Sequence, residues 1–338
     1  MTLLKDRIAL VSARPRNSRS LSPLLAAVAG AIVIVALTYT LPPFRTYQLA
    51  TIGAYFCVTA GLTVLTGLNG QLSLGHGALL ATGAYTFALM QNRFDLLIAG
   101  LVVAILVTTA VGAAIGLAAA RLRGPYLAGL TLAVAVVVPS VTSTFDGIFN
   151  SDQGLPVALE PPPGTIPVER WQAWLCWAGA LVTVLVLAYL TRGRFGLRMR
   201  AVRDDETAAR LAGVGVARTQ VLAFVVSSAC AGLAGALFAV LAQSVSPGAF
   251  PLTLSLFLVM AIVIGGLGRL TGALIGAFLL VALPAVAQSI GENAGSQRLE
   301  GNLSLTFFGV VLVAVMLAAP GGLAALITPR RKRGTKQH

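Results

Sequence analysis

The chain has 338 residues, of which 57% are hydrophobic and 10% charged, where a soluble domain carries about 25% charged residues. It holds 24 basic and 11 acidic residues, for a formal net charge of +13. Apolar runs of membrane length recur along the whole chain, which sets aside a soluble enzyme or a nucleic-acid reader and identifies an all-α polytopic membrane protein.

A helix rises ~1.5 Å per residue and the hydrocarbon core is ~30 Å thick, so each span needs roughly 20 apolar residues. On that measure about ten transmembrane helices are expected, near 22–41, 47–66, 76–91, 96–120, 126–142, 171–190, 217–241, 252–267, 271–290 and 304–319. They divide the chain into a basic cytoplasmic arm (1–21), a transmembrane domain (22–327) and a basic cytoplasmic tail (328–338). The arm, with Lys5, Arg7, Arg14, Arg16 and Arg19, reads as too long for the charged region of a signal peptide, and no small-residue cleavage site follows it.

Charge sets the orientation. With both termini cytoplasmic, only Arg45, Arg93, Arg170 and Arg298 of the 24 basic residues fall outside, as expected if basic residues resist translocation. The outer loops take Asp95, Asp146, Asp152, Glu160, Glu169, Glu292 and Glu300, several of them in a long outer loop at about 143–170. The basic inner loops suit an anionic inner leaflet, so membrane lipid is an expected partner and nucleic acid is not.

In chain order, the first informative stretch is GLNGQLSLGHGALLATGAY, residues 67–85. Asn69, Gln71 and Ser73 alternate, so an extended segment would aim them at one face. His76 follows, and Gly70, Gly75 and Gly77 permit an unusual backbone. Irregular backbone at membrane depth is tolerated only where protein buries it or where it lines a polar cavity. Two readings stay open: a broken helix lining a substrate path, or a turn whose polar groups cap two helices. His76 has no second histidine nearby and is a poor metal candidate; no metal site is expected.

Gly112 and Gly116 then repeat at helical spacing, as do Gly268, Gly272 and Gly276 in GLGRLTGALIG (266–276). Such stripes let membrane helices pack closely, within this subunit or against another. Between them lies a cytoplasmic loop at about 191–216. In it Asp204, Asp205 and Glu206 precede Thr207, Ala208, Ala209, Arg210, Leu211 and Ala212, and Gly213 follows. Acids at the start and a glycine past the end describe a short capped helix outside the bilayer. It would serve either as a solvated loop or as a docking helix, whose Ala208, Ala209, Leu211 and Ala212 would seat in a partner's groove with Arg203 and Arg210 at the rim. Cys57, Cys176 and Cys230 lie singly and suit packing positions, not a disulfide framework.

Absences matter as well. No Asp, Glu, Lys or Arg lies deep in any expected span, which weakens a proton- or ion-coupled carrier. The only lysines are Lys5, Lys332 and Lys336, and none follows a glycine, so the chain has no P-loop of its own.

On these residues the chain resembles the LivM-type permease subunits of bacterial branched-chain amino acid ABC importers, over about residues 47–323. GLNGQLSLGHGALLATGAY is similar to that family's Gly-Gln-Leu-Ser-Leu-Gly-His element, and RLRGPYLAGLTLA (121–133) to the stretch before its fifth span. DQGLP (152–156) is a reduced form of an outer-loop region. RAVRDDETAARLAGV (200–214) resembles the element that touches the ATPase, and residues 246–277 resemble the late spans.

The resemblance implies an ABC importer permease fold, working beside a second, LivH-like permease subunit. It further implies two cytoplasmic ATPase subunits, which would hold ATP and magnesium, and an external solute-binding protein. The chain itself would carry no cofactor and would not be an enzyme. Its solute would be a branched-chain amino acid or a related small polar molecule, since similar importers move urea, short amides or aromatic acids. The resemblance favours the substrate-path reading of Asn69, Gln71, Ser73 and His76, and the coupling reading of Arg203–Gly213.

Two other classes remain open: an ATP-independent secondary carrier, and an intramembrane serine hydrolase using Ser73 and His76. The hydrolase lacks a nearby carboxylate and a G-x-S-x-G elbow.

The topology is testable by cysteine labelling in a variant without native cysteines. A cysteine at Thr335 is expected to resist an impermeant reagent in intact cells and to react after permeabilisation. Labelling from outside would overturn the arrangement.

Overall fold

The computed structural model describes residues 22–122, 125–150, 153–159, 162, 164–293, 297–319 and 321–327. The basic arm, the basic tail, Arg123, Asp152 and Glu160 lie outside the described residues. The helices are α1 (Ser22–Thr40), α2 (Pro43–Leu62), α3 (His76–Phe94), α4 (Leu97–Ala119), α5 (Pro125–Thr144) and α6 (Asp146–Phe149). There follow α7 (Val168–Arg192), α8 (Arg194–Asp204), α9 (Glu206–Leu211) and α10 (Val216–Ala242). The last are α11 (Leu252–Gly265), α12 (Leu270–Asn293), α13 (Gln297–Ala318) and α14 (Leu323–Ile327).

Among the described residues, 7 helical stretches are long and apolar enough to cross a membrane, and Leu270–Val286 is a shorter apolar one. The segment expected as a span at 76–91 is a helix, α3, but falls outside those seven. Its surroundings account for this. α3 is enclosed by α4, α5, α10 and α11 and is buried along most of its length. A helix that meets protein on all sides can carry His76, Thr82, Thr86 and Gln91, which a lipid-facing helix would avoid.

The core is organised on α10, which packs against α2, α3, α4 and α7. The contacts are close because small residues line them. An added Cβ at Gly235 would fall on the Leu80 carbonyl, one at Gly83 on Gly232, and one at Gly61 on Cys230. Gly112 and Gly116 of α4 press on Ser228 and Phe224 of α10, and Gly272 and Gly276 of α12 press on Gly265 and Ala261 of α11. These stripes therefore serve packing inside the chain. Gly268 departs from the expected stripe: it lies ahead of α12, in a turn with φ +77°, a conformation that favours glycine. Cys57, Cys176 and Cys230 are buried free thiols.

Away from this core, large apolar side chains are exposed along α4 (Ile98, Val102, Leu106), α7 (Val182, Val186) and α13 (Val310, Val313). Apolar exposure of this kind suits lipid contact. The outer loop is tied to the bundle by a two-stranded pairing. Strand β1 (Leu155–Pro156) runs antiparallel to β2 (Ser244–Val245). Asn92 at the end of α3 donates to the Pro156 carbonyl (2.7 Å) and accepts from the Ala158 amide (3.1 Å).

The crossing of α3 and α10 gives a stability prediction. Gly235→Ala places a methyl group on backbone and should cost about 1–3 kcal/mol through overpacking. Gly129 of α5 has open space around it, so Gly129→Ala should be neutral or mildly stabilising. Thermal unfolding in detergent separates them; equal melting temperatures would contradict the close crossing.

Candidate functional site

The first sequence signal becomes a break between α2 and α3. The last turn of α2 loosens into a π-helical turn, Thr63–Leu68. The chain then leaves regular secondary structure through 70–75, with a bend at Leu74, and α3 starts at His76. Gly70 has φ +78°, which turns the chain out of the helix. Thr66 Oγ1 donates to the Gln71 carbonyl (3.1 Å), and the Gln71 amide reaches the Leu65 carbonyl (3.3 Å).

A chain that leaves the helix leaves its backbone groups without helical partners. Here hydroxyl groups from other helices take part of that role. Thr131 of α5 accepts from the Leu74 amide (3.0 Å), and Ser255 of α11 accepts from the Gly77 amide (3.0 Å). Ser227 of α10 meets His76 Nε2 at 2.7 Å, while His76 Nδ1 meets Ser73 Oγ at 2.9 Å. Ser227 stands eleven residues into α10, or roughly 16 Å along its axis. The break therefore ends well inside the bundle.

The alternation of Asn69, Gln71 and Ser73 is realised: all three are buried, and Leu72 between them is 41% exposed. The four polar side chains nevertheless divide into two pairs. Asn69 donates to Gln71 Oε1 (2.7 Å), and both line an open cavity of about 310 Å³ with Arg203, Asp204, Asp205, Glu206 and Gln220. Ser73 and His76, at 1% and 0% exposure, are sealed in the bundle. This geometry does not suit a hydrolase. The second imidazole nitrogen is occupied by a serine, where a triad needs a carboxylate, and the nucleophile is closed off from substrate.

The second signal is a helical pair at the same face. α9 is capped by Asp205, whose Oδ1 accepts from the Thr207 and Ala208 amides (2.7 and 3.0 Å). Gly213 follows with φ +78°, so the caps expected from the sequence are formed at both ends. Glu206 is held by Gln220 (2.9 Å) and lies 3.8 Å from Arg210. One expectation is corrected. Ala209 does not face outward to seat a partner: it is buried against Val202 and Val216 of its own chain. The outward face is made by Ala208, Leu211 and Ala212, with Leu211 87% exposed.

The three signals meet at Gly67, a convergence the sequence did not announce. Arg203 Nη1 donates to the Gly67 carbonyl at 2.8 Å. The Arg203 stem lies on Gly70, where an added Cβ would stand 2.9 Å from Arg203 Cγ. The same Gly67 rests on Gly268, so closely that a Cβ would collide with the Gly268 backbone. Arg203 also pairs with Asp204 (2.7 Å). One glycine therefore touches the α8–α9 junction and the α11–α12 turn at once.

A broken helix held by hydroxyl groups inside a bundle of small-residue, membrane-length helices defines a multi-pass helical membrane protein. Residues 44–319 match the family described as branched-chain amino acid transport system / permease component, and the chain belongs to it. It is 30% identical over 304 residues to the high-affinity branched-chain amino acid transport system permease protein LivM of Salmonella typhimurium strain LT2, covering 82% of this chain and 69% of that one. Similarity to LivM of Escherichia coli K12 is 29% over 330 residues, covering 89% and 75%. LivH of the same organism is 27% identical over 291 residues, covering 80% and 90%. These relatives are named as transport permeases, not as enzymes. No solved structure matches the chain.

The sealed histidine gives a second stability prediction. Ser227→Ala leaves one nitrogen of buried His76 without a partner, at an expected cost of about 1–3 kcal/mol. The variant should insert normally but unfold at lower temperature. An unchanged melting temperature would mean that the Ser227 contact contributes nothing.

Proposed function

We propose that this chain is the translocating subunit of an ATP-driven importer for branched-chain amino acids or a related small polar solute. It works in a bacterial cytoplasmic membrane with both termini inside, paired with a second, LivH-like permease subunit. Two cytoplasmic ATPase subunits hold ATP and magnesium, and an external binding protein delivers the solute. The family supports the permease role, and the absence of a P-loop lysine in the sequence supports separate ATPase subunits.

The observation that carries the coupling is the Arg203–Gly67 hydrogen bond. α9 is the docking element, and its exposed Ala208, Leu211 and Ala212 seat on the ATPase, with Arg210 at the rim. Movement of α9 pulls Arg203, and Arg203 pulls the carbonyl at the loosened end of α2. The irregular segment 70–75 then shifts along the permeation path. Asn69 and Gln71 border that path on the inner side, Ser73 and His76 anchor its far end, and Gly70, Gly75 and Gly77 leave the backbone room to adjust.

Reconstituted vesicles containing both permease subunits, the ATPase and the binding protein test this reading. Uptake of the solute held by the binding protein, identified by calorimetry, should require ATP inside. Uptake without any ATPase would instead identify a secondary carrier, and a binding protein selective for urea, an amide or an aromatic acid would replace the solute. Arg203→Gln should leave ATP hydrolysis active while lowering uptake at least roughly tenfold, since a charge-assisted bond to the carbonyl is lost. Leu211→Glu should reduce co-purification of the ATPase, because it puts an unpaired charge into an apolar seat. Normal coupling in both variants would remove α8 and α9 from the mechanism.

A further inference from the structure

A second cavity has a volume of about 810 Å³. It is bounded by the end of α4 and the residues just past it (Leu117, Ala120, Arg121), the start of α8 (Phe195, Arg198), the turn after α9 (Gly213, Gly215) and the start of α10 (Ala217–Leu222). Three arginines line it: Arg121, Arg198 and Arg218. No Asp or Glu stands among its lining residues. Among the described residues, the ion pairs engage Arg203 and Arg210 instead.

The walls divide by depth. Arg121 and Arg218 sit at the ends of two apolar helices, where those helices leave the bilayer. Leu117 and Leu222 lie about one turn further in and are 61% and 48% exposed, with Val221 beside them in the cavity wall. Cations therefore cluster at headgroup level, and an open apolar surface continues below them. A soluble anion would use the arginines and leave the leucines bare. A molecule with a phosphate on an acyl chain uses both.

We propose that this cavity is a binding site for an anionic phospholipid of the cytoplasmic leaflet. Arg121, Arg198 and Arg218 take its phosphate, and Leu117, Val221 and Leu222 pack along its acyl chain. Basic pockets between helices at the cytoplasmic face suit such headgroups, and each arginine near the surface should strengthen binding about fivefold. The site sits where α4 and α10 meet the α8–α9 arm, so an occupied cavity would hold that arm against the bundle.

The test is lipid retention by the full-length chain purified in mild detergent, read by native mass spectrometry and by titration with phosphatidylglycerol. A triple variant, Arg121→Gln/Arg198→Gln/Arg218→Gln, should bind on the order of a hundredfold more weakly. An equally charged control, Arg192→Gln/Arg194→Gln/Arg200→Gln, changes arginines outside the cavity and should bind as the wild type does. If the triple variant does not fold, Arg218→Gln alone should weaken binding about fivefold. Inorganic phosphate and glycerophosphoglycerol, which lack acyl chains, should not displace the lipid at millimolar concentration. Equal lipid retention by variant and control would overturn the proposal. So would displacement by the soluble anions, which would mark a free-phosphate site, or loss of ATPase subunits with lipid retention unchanged, which would mark a protein contact.

Discussion

A backbone amide or carbonyl inside a bilayer has no water to bond, and much of this fold follows from that constraint. A helix satisfies it locally, and helices make up most of the chain. Between Gly70 and Gly75 the chain is outside any helix, so amide partners come from elsewhere. Thr131 serves Leu74 and Ser255 serves Gly77, while Ser227 closes the far side of His76. Three helices remote in sequence each give one hydroxyl group to the region where α3 starts. That arrangement requires α5, α10 and α11 to stand around α3, and it explains why α3 is buried and comparatively polar.

Close approach is the second requirement. Hydroxyl groups reach a backbone only if the helices that carry them lie near it. Gly83, Gly232 and Gly235 bring α3 against α10, and Gly265, Gly272 and Gly276 bring α11 against α12. Membrane helices gain little from apolar burial against each other, since lipid is as apolar as leucine. Tight van der Waals contact between small residues therefore carries more of the association, and substitutions by larger residues there act on backbone.

The junction at Gly67 joins the α8–α9 pair to the bundle. The loosened π-helical turn has a carbonyl free to accept from Arg203, and the glycine has no side chain to hold it off Gly268. The contact is small and lies between elements that are otherwise well capped. α9 is fixed by Asp205 at one end and by the turn at Gly213 at the other, with Ala209 seated on Val202 and Val216. Both ends of this short helix are therefore fixed, and Arg203 is the side chain that joins its junction with α8 to the bundle core.

Much of this was legible in the residues themselves. Apolar length located the helices, because bilayer thickness allows few other readings of a 20-residue apolar run. Alternation in Asn69–Ser73 foretold which side chains are buried together, although the backbone there is irregular and not a strand, and Asp205 and Gly213 marked the ends of α9 through local backbone chemistry. Each of these depends on neighbours in sequence. What tertiary structure decided involves partners far apart: Arg203 with Gly67, His76 with Ser227, and Ala209 turned inward when its spacing left it free to face out. Gly268 left its expected stripe because the helix starts only at Leu270, a boundary set by the turn beside Gly67. Local periodicity determines which residues share a face; only packing determines what that face meets.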